Sequence, residues 1–254
     1  MSAPPQPDPT DPVAVFLDFD GTLVHIAARP DLAHVPASLL ATLQHAYAEL
    51  EGALALITGR SIAALDALLK PLRLPTAGVH GMEFRDAAGR IHSIPATAFP
   101  AWARSAIIAL AARDAGLLTE DKEHGMALHY RQAPQLEDEL RAALVEISAK
   151  LGPDFILQNG KMVLELRPAC ATKGTAIARF MAEAPYAGRR PVFIGDDITD
   201  EDAFRMVNDI GGYSVKVGNR ECSAARYELA NVDAVRNWLM PLANRGRDKE
   251  SRSR

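Results

Sequence analysis

Hydrophobic positions along the chain alternate between short unbroken runs and stretches of helical spacing. Residues 13–17 (Val-Ala-Val-Phe-Leu) are apolar without interruption and of strand length, the pattern of a strand buried on both faces. Over 36–50, apolar residues recur at Leu39, Leu40, Leu43 and Tyr47, with Pro36 suited to a first helical turn. Residues 53–57 form a second apolar strand, and Ser61 is an N-cap for a helix through Leu69 that Pro71 stops. Residues 76–81 are a third candidate strand, followed by a hairpin through 86–89. Strand, helix, strand, helix, strand predicts a parallel sheet covered by helices.

Then the rhythm changes. Residues 99–115 are spaced as a helix ended by Gly116, and 117–122 with 126–131 as paired strands. Residues 134–151 are a second amphipathic helix ended by Gly152. Residues 155–158 and 161–167 form a strand pair around Asn159-Gly160, the strongest short hairpin signal in the chain. Helix, two strands, helix, two strands makes an α+β module inserted into the α/β domain. From Thr172 the first rhythm resumes: helix to 183, strand 191–194, helix from 199, strand 213–217 and a last helix through Trp238. The predicted fold class is therefore α/β, a Rossmann-like parallel sheet with helices on both faces, plus an inserted α+β cap domain. The core is expected at 12–97 and 169–244 and the cap at 98–168. A disordered proline-rich segment (1–11) precedes the core and a flexible basic tail (245–254) follows it.

Composition sets outer bounds. A chain of 254 residues, 48% hydrophobic and 24% charged, is long enough for one large or two modest globular domains. The net charge of −4 gives no support for nucleic-acid binding. No apolar run approaches the ~18 residues of a membrane span. The first dozen residues lack the basic and apolar parts of a signal peptide. Cys170 and Cys222 are too few for a disulfide framework, so the expectation is reduced thiols and a cytoplasmic location.

The candidate chemistry gathers where strands end. Residues 13–17 run directly into Asp18-Phe19-Asp20-Gly21-Thr22-Leu23. On a strand, residues i and i+2 share a face, so Asp18 and Asp20 are expected to begin on a common face at the carboxyl end of a sheet strand, where ligands bind in such folds. Two close carboxylates repel and call for a cation or a shared proton. A strand ending in a polar turn explains Gly21 and one aspartate, but not two. Thr58, in Ile-Thr-Gly-Arg, ends the second strand, where an ordinary helix-initiating turn is the alternative. Lys173 opens a helix, against the dipole, which makes sense beside an anion; taken alone it reads as a surface lysine. Asp196, Asp197, Asp200, Glu201 and Asp202 crowd one strand-to-helix junction; capping uses one or two, and a hard cation accounts for five.

Asp18/Asp20, Thr58, Lys173 and Asp196, in that order, resemble the four-part signature of the haloacid dehalogenase-like phosphatases. The resemblance implies a phosphatase dependent on magnesium, Mg²⁺. Asp18 would be the nucleophile and Asp20 the general acid and base, with Thr58 and Lys173 binding the transferring oxygens. Asp18, the Asp20 carbonyl and Asp196 would be metal ligands, and Asp197 and Asp200 would orient Lys173 or metal-bound water. Further strings are similar to the trehalose-6-phosphate phosphatase family: Ala77 to Glu83, Glu120-Asp-Lys122 with His129-Tyr130-Arg131, Gly160-Lys161 with Glu165-Leu-Arg-Pro168, and Gly195 to Glu201. On that pattern Gly21, Arg60, His80 and Gly81 bind substrate beside the core. Glu120, Lys122, Arg131, Lys161 and Glu165 face the second glucose; otherwise these charges simply decorate an exposed sheet face. Glu123-His124-Gly125 departs from the family's turn after Lys122. The implied reaction is hydrolysis of trehalose 6-phosphate. Alternatives are another sugar phosphatase, acting on sucrose phosphate or mannosyl-phosphoglycerate, and a non-catalytic sugar-phosphate sensor. The expected partner is a small-molecule sugar phosphate, with no nucleic acid and no membrane, and a monomer is the expectation.

Overall fold

The computed structural model describes residues 2–7, 11–95, 97–122, 124–218 and 222–243. In order these form β1 (Val13–Leu17), α1 (Ala37–Glu49), β2 (Leu54–Ile57), α2 (Ile62–Leu69), β3 (Thr76–Gly78), β4 (Glu83–Arg85) and β5 (Ile91–Ser93). Next come α3 (Ala101–Ala111), β6 (Leu118–Asp121), β7 (Met126–His129), α4 (Glu137–Leu151), β8 (Phe155–Gly160) and β9 (Val163–Pro168). The chain closes with α5 (Lys173–Met181), β10 (Arg190–Gly195), α6 (Glu201–Asp209), β11 (Tyr213–Val217), β12 (Tyr227–Leu229) and α7 (Val232–Ala243). Two compact units result: residues 1–94 with 172–196 and 200–254, and residues 95–171 with 197–199.

The first unit is built on one sheet of order β12-β11-β10-β1-β2-β3-β4-β5. Pairing is parallel from β12 to β3 and antiparallel across β3, β4 and β5. Every residue of β1 is buried, as its uninterrupted apolar run requires. Helix α1 packs on α7, and α5 on α6. Strands β1 and β10 are neighbours although most of the chain lies between them, so the strand order reverses there. Such a reversal opens a crevice at the carboxyl ends of the strands.

The second unit is a four-stranded antiparallel sheet, β6-β7-β9-β8, with α3 and α4 packed on one face. Its core joins Phe99, Ile107, Leu140 and Leu144 to Leu128, Leu164 and Leu166. Strand residues between those leucines point the other way and leave a face rich in polar groups.

Three expectations need correction. The β8–β9 hairpin does not turn at Asn159-Gly160; those residues pair with Leu164 and Val163, and the turn is Lys161-Met162, with Met162 in the left-handed region. Moving the turn outward sets Leu157 opposite Leu166, so packing of the apolar face overrides local turn preference. Strand β12, too short for a period, was not expected at all. The proline-rich start is not wholly disordered: Pro4 and Pro7 are buried, the Ser2 carbonyl accepts the Glu228 amide and the Pro5 carbonyl accepts the Trp238 indole N–H. A stiff segment loses little entropy on docking, and β12 is an edge strand with amides to satisfy. Met1, residues 8–10, Glu123 and the basic tail 245–254 lie outside the described residues.

Candidate active site

The end of β1 delivers Asp18 into the crevice of the first unit, where its amide still donates to the Ile194 carbonyl, 2.9 Å away. Its side chain is buried, with Oδ1 2.6 Å from Lys173 Nζ and Oδ2 accepting the Thr22 hydroxyl at 3.2 Å. Lys173 sits in the first turn of α5, whose N-cap Thr172 and Thr175 exchange reciprocal capping bonds. The Lys173 ammonium also lies 2.6 Å from Asp200 Oδ1, and Asp200 Oδ2 accepts the Asp196 amide at 2.9 Å. Asp200 is therefore the bracket that ties the end of β10 to the lysine. Carboxylate oxygens of Asp18, Asp196 and Asp200 lie within 4.8 Å of one another.

Burial pushes the Asp18 carboxyl well above the usual range; Lys173 opposes that push, while Asp200 and Asp196 add to it. Burial pulls the Lys173 pKa down, but the two carboxylates it bridges outweigh that and raise it above the ordinary lysine value. With all four ionised, these side chains would carry three negative charges and one positive. The surplus, the hard oxygen donors and their close approach fit a divalent cation of the magnesium type. Gly21, at φ +82°, has no space for a Cβ against the Asp196 carboxylate, which lets the loop after Asp20 close onto this cluster.

Strand β1 stops at Leu17, the chain turns at Gly21, and the Asp20 carboxylate pairs with Arg60, 2.6 Å to Nε and 2.8 Å to Nη2. Thr58 is buried at the end of β2, its hydroxyl accepting the Arg60 amide at 3.1 Å and its carbonyl accepting the His80 amide at 3.0 Å. His80 and Gly81 are buried in the tight turn after β3. Hydrogen bonds thus link Asp18, Thr22, Lys173, Asp200 and Asp196 to one another, and Asp20, Arg60, Thr58 and His80 to one another, at the carboxyl ends of the central strands.

In the second unit, register places Glu120, Ala127, Glu165 and Gln158 in one row across the polar face. Lys122 Nζ and Glu165 Oε2 form a buried ion pair at 2.8 Å, and the His129 ring meets Glu120 at 3.1 Å. Burial raises the Glu120 pKa, but the His129 hydrogen bond and the Lys122 charge outweigh it and hold the carboxyl below its ordinary value. Arg131 donates to the Lys161 carbonyl at 2.8 Å, and the Lys161 amide donates to Asp197 at 3.2 Å. Asp197 is therefore engaged with the β8–β9 turn, whereas Asp200 holds Lys173. Sequence reasoning quoted His129 only as part of a string and did not name Gln158 as a site residue; alternation within β7 and β8 was the signal available for both.

The trehalose-phosphatase family model matches residues 16–233. The chain is 46% identical over 253 residues to the trehalose-6-phosphate phosphatase of Escherichia coli (strain K12), covering 95% of this chain and 94% of that one. It is 45% identical over 231 residues to a Sinorhizobium fredii protein named "Probable trehalose-phosphate phosphatase", covering 91% and 87%. Among solved structures, the C-terminal domain of C. albicans trehalose-6-phosphate phosphatase superposes with a TM-score of 0.82 at 22% identity, over 91% of this chain and 92% of that one, a likeness of fold. A trehalose-6-phosphate phosphatase related protein superposes with a TM-score of 0.73 at 26% identity, over 92% and 99%.

Proposed function

The chain belongs to the trehalose-phosphatase family, and we propose that it hydrolyses trehalose 6-phosphate to trehalose and phosphate through an aspartyl-phosphate. The observation that carries this reading is the buried Asp18–Lys173–Asp200 arrangement with Asp196 beside it, at the carboxyl ends of β1 and β10.

Asp18 attacks phosphorus while the bond from phosphorus to the sugar oxygen breaks, and the departing electron pair takes a proton from Asp20. Asp20, now ionised, takes a proton from the water that attacks the aspartyl-phosphate, and Asp18 and phosphate are released. Lys173 and Thr58 hold the transferring oxygens as charge builds on them. Asp200 keeps Lys173 on the Asp18 side of the crevice. Asp18, the Asp20 carbonyl and Asp196 would hold a magnesium ion, whose positive charge would let a carboxylate approach a phosphate. The polar face of the second unit, with Glu120, Lys122, Arg131, Lys161 and Glu165, serves as the cap surface that recognises the distal glucose. We further place the protein in the cytoplasm, acting as a monomer; Cys170 and Cys222 are free and exposed, and no described helix is long and apolar enough to cross a membrane.

Phosphate release from a panel of sugar phosphates with Mg²⁺ tests the reading. Trehalose 6-phosphate should be preferred over sucrose 6-phosphate, glucose 6-phosphate and p-nitrophenyl phosphate. A preference for sucrose 6-phosphate would keep the chemistry and change the sugar. No release from any of them would favour a sensor.

A further inference from the structure

Asp20 is only half-buried and lies past the end of a strand, so core packing does not fix its direction. Arg60 supplies that constraint. Two guanidinium nitrogens, Nε and Nη2, meet the two Asp20 oxygens at 2.6 and 2.8 Å, a fork that sets both the position and the plane of the carboxyl group. The guanidinium in turn lies 5.6 Å from the centroid of the buried Phe19 ring.

The loop carrying Arg60 is clamped from behind by an unusual backbone. Val79 and His80 have φ of +47° and +55°, and a β-branched residue rarely enters that region. The conformation aims two successive amides at the loop: Val79 N–H donates to the Arg60 carbonyl at 2.9 Å and His80 N–H to that of Thr58 at 3.0 Å. Gly59 is so close to the His80 ring that a Cβ there would lie 2.8 Å from Nε2. Strain of this kind persists where the surroundings over-determine a geometry.

We infer that Arg60 is a positioning residue that aims Asp20 at the leaving oxygen, with the Val79–His80 turn holding the Arg60 loop in place. This rests on Asp20 being the proton-transfer group proposed above. Each carboxyl oxygen has two acceptor positions, so the fork steers Asp20 without consuming the position that exchanges the proton.

Leaving-group chemistry provides the test. A sugar oxygen must be protonated as it departs, whereas p-nitrophenolate leaves without a proton. In single-turnover experiments with Mg²⁺, Arg60→Lys keeps the charge and loses the fork. It should slow cleavage of trehalose 6-phosphate by about 10–100-fold, while nitrophenolate release stays within about 3-fold of wild type and the steady-state KM for both, measured separately, barely changes. Gly59→Ala, which displaces the loop and leaves Arg60 intact, should show the same selective loss, with melting curves confirming that both variants fold. Equal losses on the two substrates, or a raised KM with kcat kept, would show that Arg60 grips the phosphate and would overturn the inference. Asp20→Asn in the same assay separates the two claims. If it discriminates between substrates and Arg60→Lys does not, only the positioning role falls. If Asp20→Asn itself fails to discriminate, the assignment of Asp20 falls and the role of Arg60 with it.

Discussion

The two units place their charged side chains by different rules. In the first, Asp18, Lys173 and Asp196 each follow a strand end or open a helix, and backbone amides join their network, as in the Asp196 N–H to Asp200 carboxylate bond. In the second, Glu120 and Glu165 sit within antiparallel strands, and the pairs Lys122–Glu165 and His129–Glu120 link side chain to side chain. Groups at strand ends are located by the ends themselves, so their geometry depends little on how neighbouring strands slide. Groups within strands depend wholly on register, since a slip of one residue turns each to the other face. The first arrangement suits a reaction common to every phosphate monoester. The second can be retuned strand by strand, and it is where choice among sugars is proposed to lie.

The comparison breaks first at the nucleophile. Asp18→Asn should abolish phosphoenzyme formation and cut turnover on every substrate by roughly three orders of magnitude or more, with the melting temperature nearly unchanged. Acid-quenched phosphoenzyme from wild type and variant reads this directly, and appreciable turnover in the purified variant would remove Asp18 from its role. Next is the cation: chelation should stop hydrolysis of large and small substrates alike, and Mg²⁺ should restore both. Full activity in chelator would mean that Lys173 alone balances the three buried acids. The smallest effect belongs to a charged cluster that serves neither unit's chemistry. Asp86, despite some desolvation, is held down to about 2 from its ordinary 3.8 by hydrogen bonds from His92 and Arg90 at the β4–β5 hairpin. A depressed carboxyl stabilises the fold above its unfolded value, and that stability is lost as pH falls from about 3.8 towards about 2. Asp86→Asn should therefore melt a few degrees lower at pH 7 and converge on wild type near pH 2, with activity at pH 7 unchanged.

How far the sequence could be read follows the same division. The uninterrupted run before Asp18 announced a doubly buried strand, and the residues after it announced a strand end bearing chemistry; Lys173 against its helix dipole pointed to the anions it meets. What the motif hid was the partner of Asp20, the Arg60 guanidinium supplied by the loop after β2. In the second unit, alternation of charged residues was visible but their partners were not. The Asn159-Gly160 signal suggested a hairpin two residues short of the real turn, and the true register came from opposing leucines. His129 looked like part of a string, and only pairing of β6 with β7 made it the neighbour of Glu120.

On the function proposed above, the first unit performs the chemistry and the polar face of the second selects the sugar. Glu165→Gln tests it most directly, because it removes one charge from the buried Lys122–Glu165 pair and keeps the side chain's shape. The measurement is the ratio of kcat/KM for trehalose 6-phosphate to that for p-nitrophenyl phosphate, in a variant shown by melting to be folded. This ratio should fall by roughly 10–100-fold, with p-nitrophenyl phosphate hydrolysis within about twofold of wild type. Equal losses on both substrates, or an unchanged ratio, would contradict it.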